Sequence, residues 1–191
     1  MLEDVILVNG ADEKTGLKDK TQTHIGGDLH RAFTTVIYRI NHRTGKLEVL
    51  AAQRAEEKET WGGIWDCTYS SHQRDGETSE EASHRKMAQE LNIKGKLEDF
   101  KFLFKFWYWA QWNHPVNGVR YEHEIDQALI IELKPEIKYK NIPFNRAEIK
   151  ASRWIPFKDL MDRNRAEYGP WTNIIIDRLG NYEPFCHVVG N

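Results

Sequence analysis

The sequence has little cysteine, no long apolar run and no excess of basic charge. Cys67 and Cys186 are the two cysteines among 191 residues, far apart and without a CxxC partner, which favours a reducing compartment over a disulfide scaffold. The 27 Lys and Arg residues are balanced by 29 Asp and Glu residues, so no general basic surface recruits nucleic acid or anionic lipid. No segment has the length of a membrane span, and the start, MLEDVILVNG, lacks the features of a secretion signal. We therefore expect a cytoplasmic protein whose partners include neither nucleic acid nor a membrane.

The chain also lacks internal repeats, low-complexity tracts and Pro/Gly/Ser-rich linkers. Its length suits one core, so we expect a single domain over residues 1–191. Alternating or β-rich segments predict strands over 5–8, 32–40, 47–53, 100–112, 119–133 and 149–155. Helix-forming segments follow over 79–91, 157–161 and 171–179, which predicts a mixed α/β sandwich.

Two of these segments carry strong local signals. Thr78 followed by Glu81 has the form of a capping box, which predicts that a helix begins at residue 79. Every even position from 100 to 108 is aromatic, and Lys101 and Lys105 lie between them. This period of two predicts a strand with one aromatic face.

Five side chains are candidate metal ligands: His24, His30, His72, Glu122 and Glu124. The two glutamates are two apart on a predicted strand, so both carboxylates leave the same face, about 7 Å apart at the Cα atoms. Imidazole favours zinc-like ions, and carboxylate oxygens suit magnesium or manganese. Spacing alone leaves the alternative open, because a chain with eight histidines also has ordinary surface histidines, and alternating glutamates occur on exposed strands.

A second set is basic: Lys20, Arg54, Lys58, Arg85 and Lys86. Lys86 and Glu90 are four apart on the predicted helix, which by itself indicates a surface ion pair worth about 0.2–0.5 kcal/mol. A third set is aromatic: Trp61, Trp65, Trp107, Tyr108, Trp109, Trp112 and Trp171. Most such residues build a core, but an aromatic face also stabilises a cation.

The order and spacing of the three sets resemble type 1 isopentenyl diphosphate isomerase, a family of the Nudix superfamily, over about residues 3–180. The resemblance rests on six segments: HIGGDLHRAF (24–33), QRAEEKETWGGIW (53–65), CTYSSH (67–72), GETSEEASHRKMAQELNI (76–93), YEHE (121–124) and GPW (169–171). It implies a Nudix fold of the α/β class, with a mixed β-sheet sandwiched between helices. It also implies an enzyme of isoprenoid biosynthesis that acts on a small-molecule diphosphate. We expect a monomer or homodimer.

The resemblance implies a role for each candidate residue. The three histidines with Glu122 and Glu124 match the family's divalent metal site, which would take Zn²⁺ or Mn²⁺. Glu90 matches the ligand of a second ion, Mg²⁺, that bridges to the substrate diphosphate. The basic set matches the diphosphate-binding residues. The residues implied in catalysis are Glu124, Tyr108, Ser70 and Trp171, the last supporting a carbocation with its ring.

The sequence departs from the family pattern at three positions. Ser70 stands where the family has a catalytic cysteine, and an alcohol is a far weaker acid than a thiol with a pKa of about 8.5. Cys67 does not replace it, because on one continuous strand its side chain would point to the opposite face. His24 and His30 are one residue closer than in the family. Asn92 replaces a glycine, a mild change because Asn tolerates the left-handed conformation at a helix end.

Two other functions compete with isomerisation. A Nudix hydrolase holds Mg²⁺ with several glutamates on its signature helix, but Lys86 and Gln89 occupy two of those positions here and leave Glu90. The exchange at Ser70 raises a third possibility, a cyclase-like enzyme or a protein that binds a prenyl diphosphate without turnover. The sequence favours the isomerase.

Overall fold

The computed structural model describes residues 3–133, 142 and 144–189. Within them, no helix combines the length and apolar character needed to cross a bilayer. The strands are β1 Asp4–Val8, β2 Lys14–Asp19, β3 His30–Ile40, β4 Leu47–Arg54, β5 Trp65–Asp66, β6 Tyr69–Ser71, β7 Lys101–His114, β8 Gly118–Glu132 and β9 Ile149–Pro156. The α-helices are α1 Lys20–Gly26, α2 Ser79–Leu91, α3 Phe157–Met161, α4 Pro170–Leu179 and α5 Cys186–Val189, with 3₁₀ turns at Leu97–Asp99 and Arg165–Glu167.

The described strands form one mixed sheet around a parallel pair, β3 and β8. The edge of β3 opposite β8 is shared by β1 at the first residue, His30, by β6 over residues 33–35 and by β4 near its end, all antiparallel to it. On the far side of β8 lies β7, joined to β8 in a long antiparallel hairpin. The fold therefore places His30, at the start of β3, between β1 and β8, with the end of β6 close by, where the candidate ligands lie.

Apolar clusters cover both faces of the sheet. On one face, Met87 and Leu91 of α2 pack with Phe33 and Ile37 of β3. On the other face, Trp171 and neighbouring residues of α4 pack with the aromatic side chains of β7. Side chains of successive strand residues point to opposite faces, which explains how one strand serves both cores. The predicted α/β fold, a mixed sheet between helices, is confirmed.

Local sequence signals predicted several elements correctly. Thr78 caps α2 by accepting a hydrogen bond from the Glu81 N–H at 3.2 Å, and the Glu81 carboxylate accepts one from the Thr78 N–H at 2.9 Å. The helix ends at Asn92, whose φ of 51° is the left-handed conformation expected there. The two strands predicted over 32–40 and 47–53 are β3 and β4, which pair as an antiparallel hairpin, and the predicted bounds of α2 and α3 are also confirmed.

One strand was not predicted, and two expectations are wrong. The strand is β2, which pairs with β1 as an edge strand with mostly polar side chains and so lacks an apolar signal. Residues 67–70 do not lie on one strand, because Thr68 has a φ of 143° and separates β5 from β6. The aromatic alternation also fails at Phe102, which is exposed because an irregularity in register between Phe102 and Phe104 turns the strand.

Candidate active site

The register of the sheet brings distant candidate ligands together. His30, the first residue of β3, is paired with Glu124 of β8, and Glu124 is paired on its other side with Tyr108 of β7. His72 directly follows β6, which pairs with β3. His24 lies on α1, whose N-terminus is capped by the Asp19 side chain. Paired residues on neighbouring strands have adjacent side chains, so the topology builds this group from four separate segments.

The described structure contains a compact, buried group of metal-binding side chains: His24, His30, His72 and Glu124. The Nε2 atoms of His30 and His72 are 3.2 Å apart, and Glu124 Oε1 lies 3.2 Å from the first and 3.1 Å from the second. Glu122 adjoins the group, with its Oε2 atom 3.1 Å from His24 Nε2. The shortened spacing between His24 and His30 therefore does not keep His24 away.

Backbone carbonyls orient two of the imidazole rings. The Nδ1 atom of His24 is 2.7 Å from the Lys20 carbonyl oxygen, and Nδ1 of His30 is 2.8 Å from the Asp28 carbonyl oxygen. A carbonyl accepts hydrogen bonds only, so Nδ1 carries the proton in both rings. When such a ring is neutral, the lone pair of its Nε2 atom points into the group, as in metal-ligating histidines.

The spacing of these atoms fits a single divalent ion. Two ligand atoms bound about 2.0–2.1 Å from one ion at tetrahedral or octahedral angles lie about 2.9–3.4 Å apart. The separations among His30, His72 and Glu124 fall within this range. Without an ion, two neighbouring imidazole nitrogens and a buried carboxylate would face one another unfavourably. The donor set therefore suits a divalent metal.

The pKa values of His24 and His72 are shifted in opposite directions by their surroundings. Burial acts to lower the pKa of His24, but the Glu122 carboxylate beside it outweighs burial and raises that pKa to about 9. Burial, with Lys20 and the other two imidazoles adding to it, holds the pKa of His72 well below its usual range. His24 is thus protonated at neutral pH, whereas His72 is neutral and ready to bind a metal.

We expect metal affinity to rise with pH up to about 9. A ligating imidazole must be neutral, so below this pKa an ion has to displace the His24 proton, and apparent affinity should rise about tenfold per pH unit between roughly 7 and 9. Titration calorimetry in buffers of different ionisation enthalpy should detect about one proton released per ion at pH 7.5. An affinity that does not change over this interval would show that His24 stays outside the coordination sphere.

Four of the five predicted basic residues line a cleft beside the metal group: Lys20, Arg54, Lys58 and Lys86. Glu148 lies among them, paired with Lys58, and its Oε1 atom is 3.6 Å from Lys86 Nζ. Burial, together with nearby Arg54, lowers the pKa of Lys58. The cleft therefore offers several partly desolvated cations to an anionic group.

Arg85 is not brought into this cleft. Its guanidinium binds Glu77 through two hydrogen bonds of 2.8 and 2.7 Å and also donates to the His72 carbonyl oxygen at 3.3 Å. A guanidinium held in this way positions the segment that carries His72, and the substrate-binding role assigned to Arg85 receives no support from the geometry. The positive charge of Arg85 is therefore paired with Glu77 within the protein.

The pair of Lys86 and Glu90 is buried, not on the surface as the spacing alone indicated. The two side chains are 10% and 4% exposed, and Lys86 Nζ lies 2.8 Å from Glu90 Oε1. Glu90 lies apart from the His/Glu group, in a smaller cavity that it shares with Arg54, Lys58 and Glu148. Glu90, the predicted Mg²⁺ ligand, therefore lies on the side of the cleft that is lined by Lys and Arg side chains.

Ser70 lies at the cleft end of a row of oxygen atoms that continues into the buried interior. Its Oγ atom lies 2.8 Å from both Asp66 Oδ2 and Thr34 Oγ1, and Thr34 Oγ1 lies 2.8 Å from Asp126 Oδ2. These three contacts share two hydroxyl hydrogens, an arrangement that favours a proton on one of the two carboxyl groups. Burial, reinforced by Glu124, raises the pKa of Asp126 well above its usual range.

The aromatic set divides between core and surface. Trp171 and Tyr108 line the cleft with ring centroids 6.2 Å apart, and the Tyr108 hydroxyl donates to Glu124 Oε2 at 2.5 Å. Trp61 packs edge-on against Trp171. Trp107 and Trp109 are 60% and 51% exposed on the outer face of β7. Only part of the tryptophan content therefore contributes to the site.

Comparison with known proteins identifies the family of this chain. The NUDIX domain profile matches residues 28–178. An isopentenyl-diphosphate Delta-isomerase from Photobacterium profundum is 37% identical over 158 residues, covering 83% of this chain and 82% of that protein. The chain belongs to the isopentenyl-diphosphate Delta-isomerase family of the Nudix superfamily. Isopentenyl-diphosphate Delta-isomerase 1 from Photorhabdus laumondii is 35% identical over 176 residues, covering 89% and 90% of the two chains.

A solved structure of lower sequence identity has the same fold as this isomerase-family chain. The crystal structure of DR0079 from Deinococcus radiodurans superimposes with a TM-score of 0.65 at 18% identity, covering 92% of this chain and 98% of that one. This likeness concerns the fold alone.

Several cleft residues of this isomerase-family member carried no recognised sequence signal. Glu148 lies in the turn directly before β9 and pairs with two cleft lysines, and Glu59 joins Thr21 to Arg120 at the rim. Asp66 lies in the short strand β5 and is 1% exposed. A carboxylate inside the apolar stretch GIWDC is the one sequence hint, since buried charge is rarely kept without partners.

Proposed function

We propose that this protein isomerises isopentenyl diphosphate by moving its double bond through protonation and deprotonation, with a carbocation between the two steps. The observation that carries the proposal is the convergence of three imidazoles on Glu124, whose second oxygen is bonded to Tyr108. This acid–base group opens onto a cleft lined by cations and by the face of Trp171. Relatives named isopentenyl-diphosphate Delta-isomerase support the same reaction.

The cation-lined side of the cleft binds the diphosphate. Lys20, Arg54, Lys58 and Lys86 supply charge, and Glu90 is the residue for Mg²⁺. A bound Mg²⁺ would neutralise diphosphate charge, and Zn²⁺ or Mn²⁺ held by the His/Glu group would polarise Glu124. Charge-assisted contacts to phosphate oxygens are about twice as strong as neutral hydrogen bonds, so the diphosphate fixes the position of the apolar tail.

The chain's own residues then handle the protons. Glu124 acts in its protonated form: its carboxyl O–H delivers the proton to the alkene, whose π electrons form the new C–H bond and leave a tertiary carbocation, and Glu124 is left as the carboxylate that accepts the Tyr108 hydrogen bond. The buried face of Trp171 supports that cation, an interaction worth about 2 kcal/mol or more where water is excluded. The Ser70 side of the cleft accepts the allylic proton, and the electrons of that C–H bond form the new double bond.

Product analysis tests this proposal against its competitors. Purified protein is incubated with isopentenyl diphosphate and Mg²⁺, with and without added Zn²⁺ or Mn²⁺, in D₂O. Dimethylallyl diphosphate carrying deuterium is the expected product. Inorganic phosphate or a monophosphate would instead identify a hydrolase, a new carbon skeleton would identify a cyclase, and unchanged substrate that still binds would identify a binding protein.

Replacing Lys58 by alanine should weaken diphosphate binding. Its ammonium lines the cleft, so losing this charge should raise KM about tenfold or more while changing kcat less, since the contact persists in the transition state. Lys150→Ala is the matched control, because Lys150 is also paired with a glutamate but is 52% exposed outside the cleft. An equal effect of both substitutions on KM would remove Lys58 from the binding site.

The remaining expectations about the whole molecule are part of the same proposal. We infer that residues 1–191 act as a single Nudix-type domain, a monomer or homodimer, in the cytoplasm. Its partner is the small diphosphate, with no nucleic acid and no membrane. Size-exclusion chromatography with light scattering tests the oligomeric state.

A further inference from the structure

Ser70 has a carboxylate directly behind it. Ser70 lines the cleft, and its hydroxyl donates to Asp66 Oδ2 at 2.8 Å, while Asp66 itself is 1% exposed. A serine hydroxyl is a poor proton acceptor when it stands alone. A hydroxyl bonded to a carboxylate is different, because it passes its own proton on as it accepts another.

The Asp66 carboxylate is held in one orientation by several donors. Its Oδ1 atom accepts hydrogen bonds from the Cys67 backbone N–H at 2.7 Å and from the Thr172 hydroxyl at 2.8 Å. Its Oδ2 atom accepts from Ser70 and from Trp171 Nε1 at 3.2 Å, and Arg54 Nη1 lies 3.8 Å away. Oδ2 is therefore aimed at the cleft side, and Ser70 is the hydroxyl that stands between it and a bound substrate.

We propose that Asp66 is the proton acceptor of the Ser70 side of the cleft and that it acts through the Ser70 hydroxyl. Asp66 does not touch substrate, so it is a positioning residue that completes a two-residue relay. The relay does the work for which the family uses a single thiol. This inference rests on the proposed isomerase function and assigns a role that the family motif does not supply.

The relay balances in protons and electrons. As the allylic C–H bond of the carbocation breaks, its electron pair forms the new C=C bond and its proton goes to Ser70 Oγ. The original Ser70 hydroxyl proton moves to Asp66 Oδ2 in the same step. Serine remains neutral throughout, so no alkoxide forms, and Asp66 ends protonated until exchange with solvent restores it. In the reverse reaction the same two residues deliver the proton.

A purely structural role for Asp66 is the competing explanation. The carboxylate also ties α4 to the sheet through Thr172 and Trp171, and its loss would disturb Trp171 whether or not a proton passes through Ser70. The two roles differ in one respect. A relay is needed only while residue 70 is an alcohol, whereas an anchor for α4 is needed whatever residue 70 is.

The test compares Asp66→Asn in two backgrounds, the unmutated protein and Ser70→Cys. With serine at position 70, kcat should fall about 100-fold, the lower end of what a general base contributes, while KM changes little. With cysteine at position 70, the thiol serves as its own acid and base, and the same substitution should lower kcat less than about fivefold. Asp66→Glu, which keeps a carboxylate, should recover at least about tenfold of the loss in the serine background.

Controls separate folding from proton transfer. Asp177→Asn removes another carboxylate that anchors α4, bonded to Arg163 and Arg165 and remote from the cleft, and kcat should be unchanged. Circular dichroism and thermal melting establish the folded fraction of each variant. If Asp66→Asn does not fold, Asp66→Thr replaces it, because a neutral β-branched side chain suits a strand, and the same difference between backgrounds is expected.

The possible results distinguish the relay from a structural role of Asp66 and from failure of the proposed function. A large loss with Ser70 and a small loss with cysteine supports the relay. Equal losses in both backgrounds overturn the relay and leave the isomerase function standing. Absence of isomerase turnover in both the unmutated protein and Ser70→Cys overturns the proposed function and the relay together.

Discussion

Replacing Glu124 by glutamine should lower kcat about 10³-fold or more. The amide cannot carry the proton that the carboxyl group delivers, and general acid–base catalysis contributes about 10²–10⁴-fold. The side chain is nearly isosteric, but it also weakens the contacts of Oε1 with His30 and His72 around the ion. The measurement is steady-state conversion of isopentenyl diphosphate, with the metal content of the variant determined in parallel.

Two further variants sharpen that result. Tyr108→Phe removes the hydrogen bond to Glu124 Oε2 and should cost about 10–100-fold in kcat, less than loss of the carboxylate itself. Glu132→Gln is the control, because Glu132 is exposed at the far end of the same strand, β8. If Glu124→Gln retains more than about a tenth of the turnover, the acid of this reaction is a different group.

Replacing Ser70 by cysteine should raise kcat about 10–100-fold. A thiol with a pKa of about 8.5 gives and accepts protons near neutrality far more readily than an alcohol. The gain should stay below the full contribution of an acid–base group, about 10²–10⁴-fold, because Asp66 already assists the serine. The assay is isomerase turnover at saturating substrate, followed by deuterium incorporation.

Ser70→Thr is the matched control for the cysteine variant. It keeps an alcohol and should bring no gain. Cys67 cannot substitute in either protein, because it is fully buried in the cluster around Trp171 and burial raises the pKa of its thiol well above the usual range. If Ser70→Cys fails to increase turnover while the fold is intact, the cleft has been adapted to another reaction.

The parts of the fold that follow from sequence are those with a strong local cause. The capping box at Thr78 predicted the start of α2, and β-rich composition predicted the strands β3 and β4. Elements without such a local cause were not predicted from the sequence. An edge strand of polar residues such as β2 has no hydrophobic period, and the backbone of Thr68, at positive φ, carries no side-chain signal.

The candidate site shows the same division. The metal group depends on a parallel register that pairs His30 with Glu124, and no local pattern reveals a register between strands so far apart in the chain. Resemblance to a family supplied those residues instead. It failed to anticipate that Arg85 binds Glu77 and that Lys86 is buried, because partners of a charge depend on packing. It was also silent on Asp66, whose partners come from three separate segments.

The central claim is that His24, His30, His72 and Glu124 hold one divalent ion beside the diphosphate cleft. Anomalous diffraction from crystals grown with Zn²⁺ or Mn²⁺, recorded on both sides of the metal's absorption edge, tests it most directly. We expect one peak about 2.0–2.2 Å from the Nε2 atoms of the three histidines and from an oxygen of Glu124. Crystals with no metal peak among these four side chains, or with the side chains turned away from one another, would contradict the claim.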